Sequence, residues 1–145
     1  MKKNVLKPVL CSFLLSLGLL TGCQPGAYVS GKVEFPDGKP LTLGTVCFQG
    51  DQVLARGDIM KDGSYKIKLT EDRSKIPYGL YRVSISGAVE IEQLPLTVGF
   101  EKPVLPKEKA LIDQRFMSPA SSGLQCEVGP GMTLPFNITV DYPKD

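Results

Sequence analysis

The stretch SGKVEFPDGKPLTLGTVCF, residues 30–48, decides the fold because it joins two alternating segments through a tight turn. Apolar and polar residues alternate from Val29 to Phe35, which is typical of a strand with one buried face. The Asp-Gly pair at positions 37–38 is a hairpin signal. Val46 and Phe48 then begin a second inward-facing series. The stretch therefore predicts two half-buried strands with a hairpin turn between them.

The same combination of alternation and turns recurs as far as residue 140. Further turns are marked by Asp-Gly at 62–63 and by Gly-Pro-Gly at 129–131, and polar residues fill the outward positions. The inward positions of the later segments are Val53, Ala55, Gly57 and Ile59; Tyr65, Ile67 and Leu69; Tyr81, Val83 and Ile85; Leu124, Cys126 and Val128; and Phe136, Ile138 and Val140. No segment has a long helical period. The pattern predicts an all-β fold, a single antiparallel seven-stranded β-sandwich.

Four stretches carry a resemblance to a known family. Residues 30–48, ARGDIMKDGSYKIKL at 55–69 and IPYGLYRVSISG at 76–87 resemble the carboxypeptidase regulatory-like, or transthyretin-like, domain. The stretch LIDQRFMSPASSGLQCEV at 111–128 is similar to the C-terminal part of small bacterial lipoproteins that carry this domain. The resemblance implies a prealbumin-like, immunoglobulin-like sandwich. It implies no activity, because such domains are usually accessory and a fold does not fix a function.

A long connection, residues 87–122, precedes the last two predicted strands. Its four prolines lie at 95, 103, 106 and 119, while Leu96, Val98 and Phe100 alternate in the manner of an edge strand. Loops of this length are usually functional or disordered. The alternative, which we favour, is that the connection wraps the open sheet edge and covers its unpaired backbone groups.

The start of the chain has the pattern of an export signal. Lys2, Lys3 and Lys7 accompany an apolar block at residues 9–20. The block is about a dozen residues long, short of the roughly 20 that a membrane-spanning helix needs. We therefore predict a leader that is removed after export.

The end of this leader resembles the bacterial lipobox, an aliphatic residue and two small residues before a cysteine. Here the four positions are Leu20, Thr21, Gly22 and Cys23. The resemblance implies cleavage between Gly22 and Cys23, a diacylglyceryl group on the sulfur of Cys23, and an acylated new amino terminus. Two or three acyl chains hold a protein on a membrane where one chain would not. An ordinary secretory signal with a chance cysteine is the alternative.

These features predict a leader at 1–22, a lipid tether at 23–27 and a sandwich domain at 28–142. A five-residue tether spans at most roughly 17 Å, so the domain would sit against the membrane. Gln24, rather than an aspartate, follows the lipid cysteine. This favours an outer-membrane or periplasmic-face location in the cell envelope.

The formal net charge of +2 comes from the leader. Three of the 17 basic residues lie there, leaving 14 against 15 acidic residues after cleavage. No lysine or arginine cluster interleaves with aromatic residues. The mature chain therefore has no sequence pattern of nucleic-acid binding.

The sequence offers little for catalysis, metals or cofactors. It contains no histidine, the commonest general base and a frequent metal ligand. Asp37 and Asp62 precede glycine in tight turns, where aspartate bonds the backbone, and Asp58 falls on an outward strand position. Some relatives in the resembled family carry Asp-x-Asp-Gly before this hairpin, but Met60 and Lys61 precede Asp62 here, so a calcium cage is not expected.

Two further groups of residues are candidates for a site. Ser118, Ser121 and Ser122 read as a turn before Gly123 and not as a nucleophile. A glycan site needs exposed flat rings, and the chain has no tryptophan. The rings that the pattern leaves for exposure are Tyr28, Tyr78, Phe100 and Phe116, and of these Phe100 and Phe116 are the candidates for ligand binding.

The resulting hypothesis is a non-catalytic envelope lipoprotein without a cofactor. It would be held to the membrane by the lipid on Cys23 and would act as a structural or protein-interaction module, lending a sheet edge to another envelope protein. The alternative is a small-ligand or glycan-binding protein that uses residues 87–122. For Cys47 and Cys126 the alternation predicts opposite facing, outward and inward, and hence no disulfide.

Overall fold

The computed structural model describes residues 25–92, 106–131 and 135–144, and in these ranges the chain is nearly all β-structure. The described residues form eleven strands and one 3₁₀ helix. The strands are β1 (Gly26–Ala27), β2 (Ser30–Glu34), β3 (Thr45–Gln49), β4 (Leu54–Asp58), β5 (Ser64–Lys66), β6 (Ile76–Pro77), β7 (Gly79–Ser86), β8 (Val89–Glu92), β9 (Lys107–Ala110), β10 (Leu124–Val128) and β11 (Ile138–Thr139). The 3₁₀ helix spans Gln114–Met117. The prediction of an all-β fold is confirmed.

Two larger sheets supply most of the core. One has four antiparallel strands in the order β10-β7-β3-β4, and the other has three in the order β11-β2-β5. They are joined at one side by a bridge between Arg56 and Lys68, whose backbone groups bond each other at 2.9 and 2.8 Å. Phe48 in β3 and Phe136, shortly before β11, pack edge to face with ring centroids 5.8 Å apart. Side chains of both sheets belong to one hydrophobic cluster.

The predicted facing of the strands is confirmed. Val33, Val46, Phe48 and Val83 are completely buried, while the polar residues between them are mostly exposed. Ser84 is an exception, since it is only 5% exposed although alternation turns it outward. It lies opposite Cys47 in the central strand β7, which has a paired strand on each side.

The prediction of a purely antiparallel sandwich is wrong for one strand pair. β11 runs parallel to β2, with Ile138 opposite Val33 and Thr139 opposite Glu34. Parallel neighbours need a long connection rather than a hairpin, and here almost the whole domain lies between the two strands. Alternation within a segment indicates which face is buried but does not give the direction of the neighbour.

The turn at 37–38 closes a hairpin, but the hairpin does not continue into β3. Leu41 returns beside β2 and donates its amide to the Val33 carbonyl at 2.9 Å. β3 then lies in the other sheet, paired with β4 and β7. Gly38 has φ +82°, a conformation that favours glycine at this turn.

The folded part begins two residues before the predicted boundary at 28. Gly26 and Ala27, assigned to the tether 23–27, pair antiparallel with Pro77 and Ile76 as β1–β6. A Cβ on Gly26 would lie 2.6 Å from the Ile76 carbonyl oxygen, so glycine permits the close approach. A two-residue strand has no periodicity, which is why alternation did not reveal it.

The connection 87–122 is not a structureless loop. It contains β8 and β9, which pair antiparallel, and the 3₁₀ helix. The facing residues include Glu90 opposite Lys109 and Glu92 opposite Lys107. Both faces of this ribbon are largely exposed, so it lacks the apolar alternation from which a strand is recognised. The predicted edge strand through Leu96, Val98 and Phe100 lies outside the described residues.

Candidate functional site

Of the predicted site residues, Gly22, Cys23 and Phe100 lie outside the described residues, and so do the leader 1–22 and Gln24. Phe116 is described, and it is only 3% exposed. The expectation that its ring is available to a ligand is therefore corrected. Phe116 lies in the 3₁₀ helix, where the Asp113 carboxylate accepts a bond from the Arg115 amide at 3.0 Å, and its ring packs into the core.

The other two predicted rings are exposed and lie near the β1–β6 pair. Tyr28 directly follows β1 and is 53% exposed, and Tyr78 directly follows β6 and is 39% exposed. The Lys75 ammonium lies 5.4 Å from the centre of the Tyr28 ring. This distance allows a cation–π contact at the surface.

Basic side chains extend from this point along β5. Lys66 and Lys68 line a cavity of about 250 Å³ that also includes Tyr28 and two serines, Ser30 and Ser74. Neither lysine, nor Lys75, forms a salt bridge with another described residue. Lys66 and Lys68 alternate with inward residues of the sequence and so face outward, but their position beside Tyr28 depends on the pairing of β5 with β2.

A larger groove of about 690 Å³ lies where the two sheets meet between β4 and β5. Arg56, Lys66 and Lys68 line it together with Asp58 and Glu71. The Asp58 carboxylate accepts a hydrogen bond from the Thr45 hydroxyl at 2.8 Å across the β3–β4 pair. The groove thus has three basic and two acidic residues in its lining, and two of the basic ones, Lys66 and Lys68, also line the Tyr28 cavity.

The turn carboxylates have structural partners. Asp62 accepts bonds from the Ser64 hydroxyl at 2.6 Å and the Ser64 amide at 3.1 Å, and these lower the pKa of its carboxyl. The ion pair of Asp37 with Lys39 at 3.0 Å likewise lowers the Asp37 pKa and raises the Lys39 pKa. Ionised carboxylates in such turns accept hydrogen bonds, as the sequence predicted, and neither is poised to take up a proton near neutral pH.

The serine-rich segment is also bonded internally. The Ser121 hydroxyl donates to the Arg115 carbonyl at 2.7 Å, and the buried Ser122 hydroxyl donates to the Val83 carbonyl. Ser122 thereby ties the segment before β10 to the central strand β7. Both hydroxyls therefore form hydrogen bonds to the backbone, as expected for a turn.

The two described cysteines are free thiols. Cys47 is half-buried on the outer face of β3, with its sulfur 3.4 Å from the Ser86 hydroxyl, while Cys126 is buried in the core. Their opposite facing is as predicted. Burial raises the pKa of the Cys126 thiol.

Within residues 25–92, 106–131 and 135–144, no group of three metal-binding side chains comes together. In the same ranges, no helix has the length and apolar character needed to cross a bilayer.

Comparison with known proteins gave no relative. No family model, curated protein or solved structure matches the chain.

Proposed function

We propose that the protein is a lipid-anchored lipoprotein of the cell envelope and a non-catalytic structural or interaction module. The observation that carries this proposal is the position of the lipobox relative to the fold. Cys23 lies three residues before Gly26, which is already paired with β6. A lipid on Cys23 would thus be attached almost directly to the folded domain, as in an anchor that holds a module at the membrane surface.

We further propose a prealbumin-like sandwich of the carboxypeptidase regulatory-like kind. The four-stranded and three-stranded sheets around one core support this assignment. So do the turns at Asp37-Gly38 and Asp62-Gly63, which have the positions that the family motifs imply. The assignment can be tested by whether solved domains of this family also contain a parallel pair like β2–β11.

Replacement of the lipid cysteine tests the anchor. In a bacterial host, the wild-type protein should incorporate labelled fatty acid and sediment with membranes. Cys23→Ala should lose the label and should be either released or left unprocessed. Cys47→Ala is the matched control, because this thiol lies on the surface of β3 and should not affect labelling. A Cys23→Ala protein that is cleaved and membrane-bound like the wild type would refute the lipoprotein proposal.

For the interaction we propose that β10 lends its edge to a partner strand in the envelope. Among the described residues β10 is hydrogen-bonded to β7 alone, so its second side is an edge. Addition of a strand to such an edge is a common mode of peptide recognition. We place this ahead of small-ligand or glycan binding at 87–122, because Phe116, one of the two rings named for that role, is buried.

A photo-crosslinking amino acid at Gln125 tests this edge. Gln125, Arg82 and Gln49 lie in one row across β10, β7 and β3, so Gln49 is a control on the same sheet. An added strand would lie roughly 5 Å from β10 and roughly 14 Å from β3. We expect a discrete adduct from position 125 and none from position 49 in intact cells. Equal adducts at both positions, or none at 125, would contradict an edge partner.

A further inference from the structure

We propose that the end of the domain around β1 and β6 faces the membrane and that its lysines bind anionic phospholipid headgroups. The surface consists of Tyr28, Lys66, Lys68, Lys75 and Tyr78, and we call it the basic end. This inference rests on the proposed lipid at Cys23, and it adds the orientation of the domain and the class of lipid that it contacts.

The short span of chain between Cys23 and Gly26 limits how far the domain can lie from the membrane. Cys23 is three residues before Gly26, and three residues extend to at most roughly 10 Å. Gly26 is paired with Pro77, so it cannot move away from β6 while the domain is folded. A lipid on Cys23 inserted in a bilayer must therefore bring the β1–β6 pair close to the headgroups.

The charge of the basic end is complementary to that of anionic headgroups. The exposed charged residues on and beside this end are Arg56, Lys66, Lys68, Arg73 and Lys75 against Asp58, Glu71 and Asp72. The excess is basic, although the side chains of the mature chain as a whole carry slightly more negative than positive charge. A lysine held near anionic headgroups strengthens membrane binding about fivefold.

The uncharged side chains of the basic end also suit a membrane surface. Tyr28 and Tyr78 are exposed on either side of the β1–β6 pair, and tyrosine is enriched at membrane–water interfaces. The cavity of about 250 Å³ beside Tyr28 is lined by Lys66, Lys68 and two serines. Ammonium groups and hydroxyls are donors suited to a phosphate oxygen. The basic end thus combines interfacial rings with phosphate-binding donors.

A single tryptophan can measure the orientation, because the chain has none of its own. The full lipoprotein carrying Tyr28→Trp would be reconstituted in vesicles of phosphatidylethanolamine and phosphatidylglycerol that contain lipids brominated in the acyl chains. Met60→Trp is the matched control, since Met60 is 60% exposed. Met60 donates its amide to the Ser64 carbonyl, and Ser64 lies opposite Lys32, which is four residues and roughly 13 Å along the chain from Tyr28.

We expect bromine quenching to be several-fold stronger for Tyr28→Trp than for Met60→Trp. Quenching of Tyr28→Trp should fall when phosphatidylglycerol is replaced by phosphatidylcholine, when salt is raised, or when Lys68→Glu is added. Lys61→Glu, an equally exposed lysine near Met60, should leave it unchanged. Tyr78→Trp gives a second position in case the variant at 28 folds poorly.

The outcomes separate this inference from the proposed function. Equal quenching at positions 28 and 60, or stronger quenching at 60, in a protein that sediments with vesicles would overturn the orientation while leaving the anchor intact. Quenching that is the same in neutral and anionic vesicles would overturn the role of anionic headgroups. A wild-type protein that carries no lipid and does not sediment would instead refute the anchor itself.

Discussion

The close approach of the chain before β11 to β2 depends on one glycine. A Cβ on Gly31 would lie 2.1 Å from the Phe136 carbonyl oxygen, which also accepts a hydrogen bond from the buried Tyr65 hydroxyl. Since that oxygen is backbone and is held by Tyr65, it cannot shift without disturbing the three-stranded sheet. Gly31 therefore has a packing role that its place in an alternating pattern does not reveal.

We predict that Gly31→Ala lowers the free energy of unfolding by about 3 kcal/mol, the upper end of the range for overpacking. Gly38→Ala is the control, because its Cβ would meet nothing within 4 Å and only the strain of φ +82° would remain. That strain costs about 1–2 kcal/mol. Urea unfolding followed by tyrosine fluorescence measures both values. A smaller loss at Gly31 than at Gly38 would mean that the packing of the Phe136 backbone against Gly31 is looser than described.

The two thiols should differ in reactivity. A thiol reagent should label Cys47 in the folded protein, because its sulfur is partly exposed on β3. Cys126 should react only after unfolding, because burial restricts access and raises the pKa of its thiol, which reduces the reactive thiolate. Mass spectrometry of peptides from the protein labelled before and after unfolding checks this. A Cys47–Cys126 crosslinked peptide would contradict the facing of both strands.

At the scale of elements, β8 and β9 form a largely exposed strand pair in the connection 87–122. Two opposite-charge pairs, Glu90 with Lys109 and Glu92 with Lys107, lie across it. Such cross-strand pairs contribute about 0.2–1 kcal/mol each, and an isolated two-stranded ribbon is marginal in water. The ribbon should therefore open far more often than the β3–β7 pair, whose inward side chains are buried.

We predict that amide hydrogens of β8 and β9 exchange faster than those of β3 and β7. Glu90→Lys should accelerate exchange in the ribbon by placing like charges opposite each other, and adding Lys109→Glu should restore the wild-type rate. Hydrogen exchange measured by mass spectrometry would show this. If the double variant exchanged as fast as the single one, charge pairing would not be what aligns the two strands.

Sequence patterns predicted the strands that have one solvent-exposed face and one buried face. Val33, Phe48 and Val83 were assigned inward from alternation alone, and they are completely buried. Three kinds of feature could not be predicted in this way. The β1–β6 pair is too short for a period, the β8–β9 ribbon has no buried face, and the parallel neighbour of β2 depends on the path of the chain.

The candidate site shows the same division. Tyr28 and Tyr78 were predicted to be exposed and are exposed, since each falls outside the alternating segments. Phe116 also falls outside them, yet it is buried, because the 3₁₀ helix turns its ring toward the core. The basic end was not predicted, because its lysines come from β5 and from the segment before β6. Only the pairing of β2 with β5 and of β1 with β6 brings them to the same place.

At the scale of the whole molecule, acid should destabilise the domain. Hydrogen bonds lower the carboxyl pKa of Asp62 from its ordinary value of 3.8, and they do the same for Asp37 and Asp113. A carboxyl with a lower pKa in the folded state contributes stability above its unfolded value, and this contribution is lost as pH falls through the folded value. The free energy of unfolding should therefore be constant from neutral pH to about pH 5 and should decline below about pH 4.

The contribution of one turn can be isolated with Asp62→Asn. This variant should have a shallower decline below pH 4 than the wild type, since one of the groups that take up a proton on unfolding is removed. Asp51→Asn is the control, because no hydrogen bond or salt bridge of the described residues involves its carboxylate. Urea titrations at several pH values give the slopes. Equal slopes for wild type and Asp62→Asn would show that this turn does not contribute.

The parallel pair of β2 and β11 also determines when the domain can form. Its residues lie 105 positions apart, as the bond from the Lys32 amide to the Asn137 side chain illustrates. At ordinary rates of synthesis, roughly 5–20 s pass between the appearance of the first strand and that of the second. During this time the three-stranded sheet has no closing strand. The pairing of β2 with β11 can therefore form only after residues 138–139 have been synthesised, and until then that side of β2 has no partner strand.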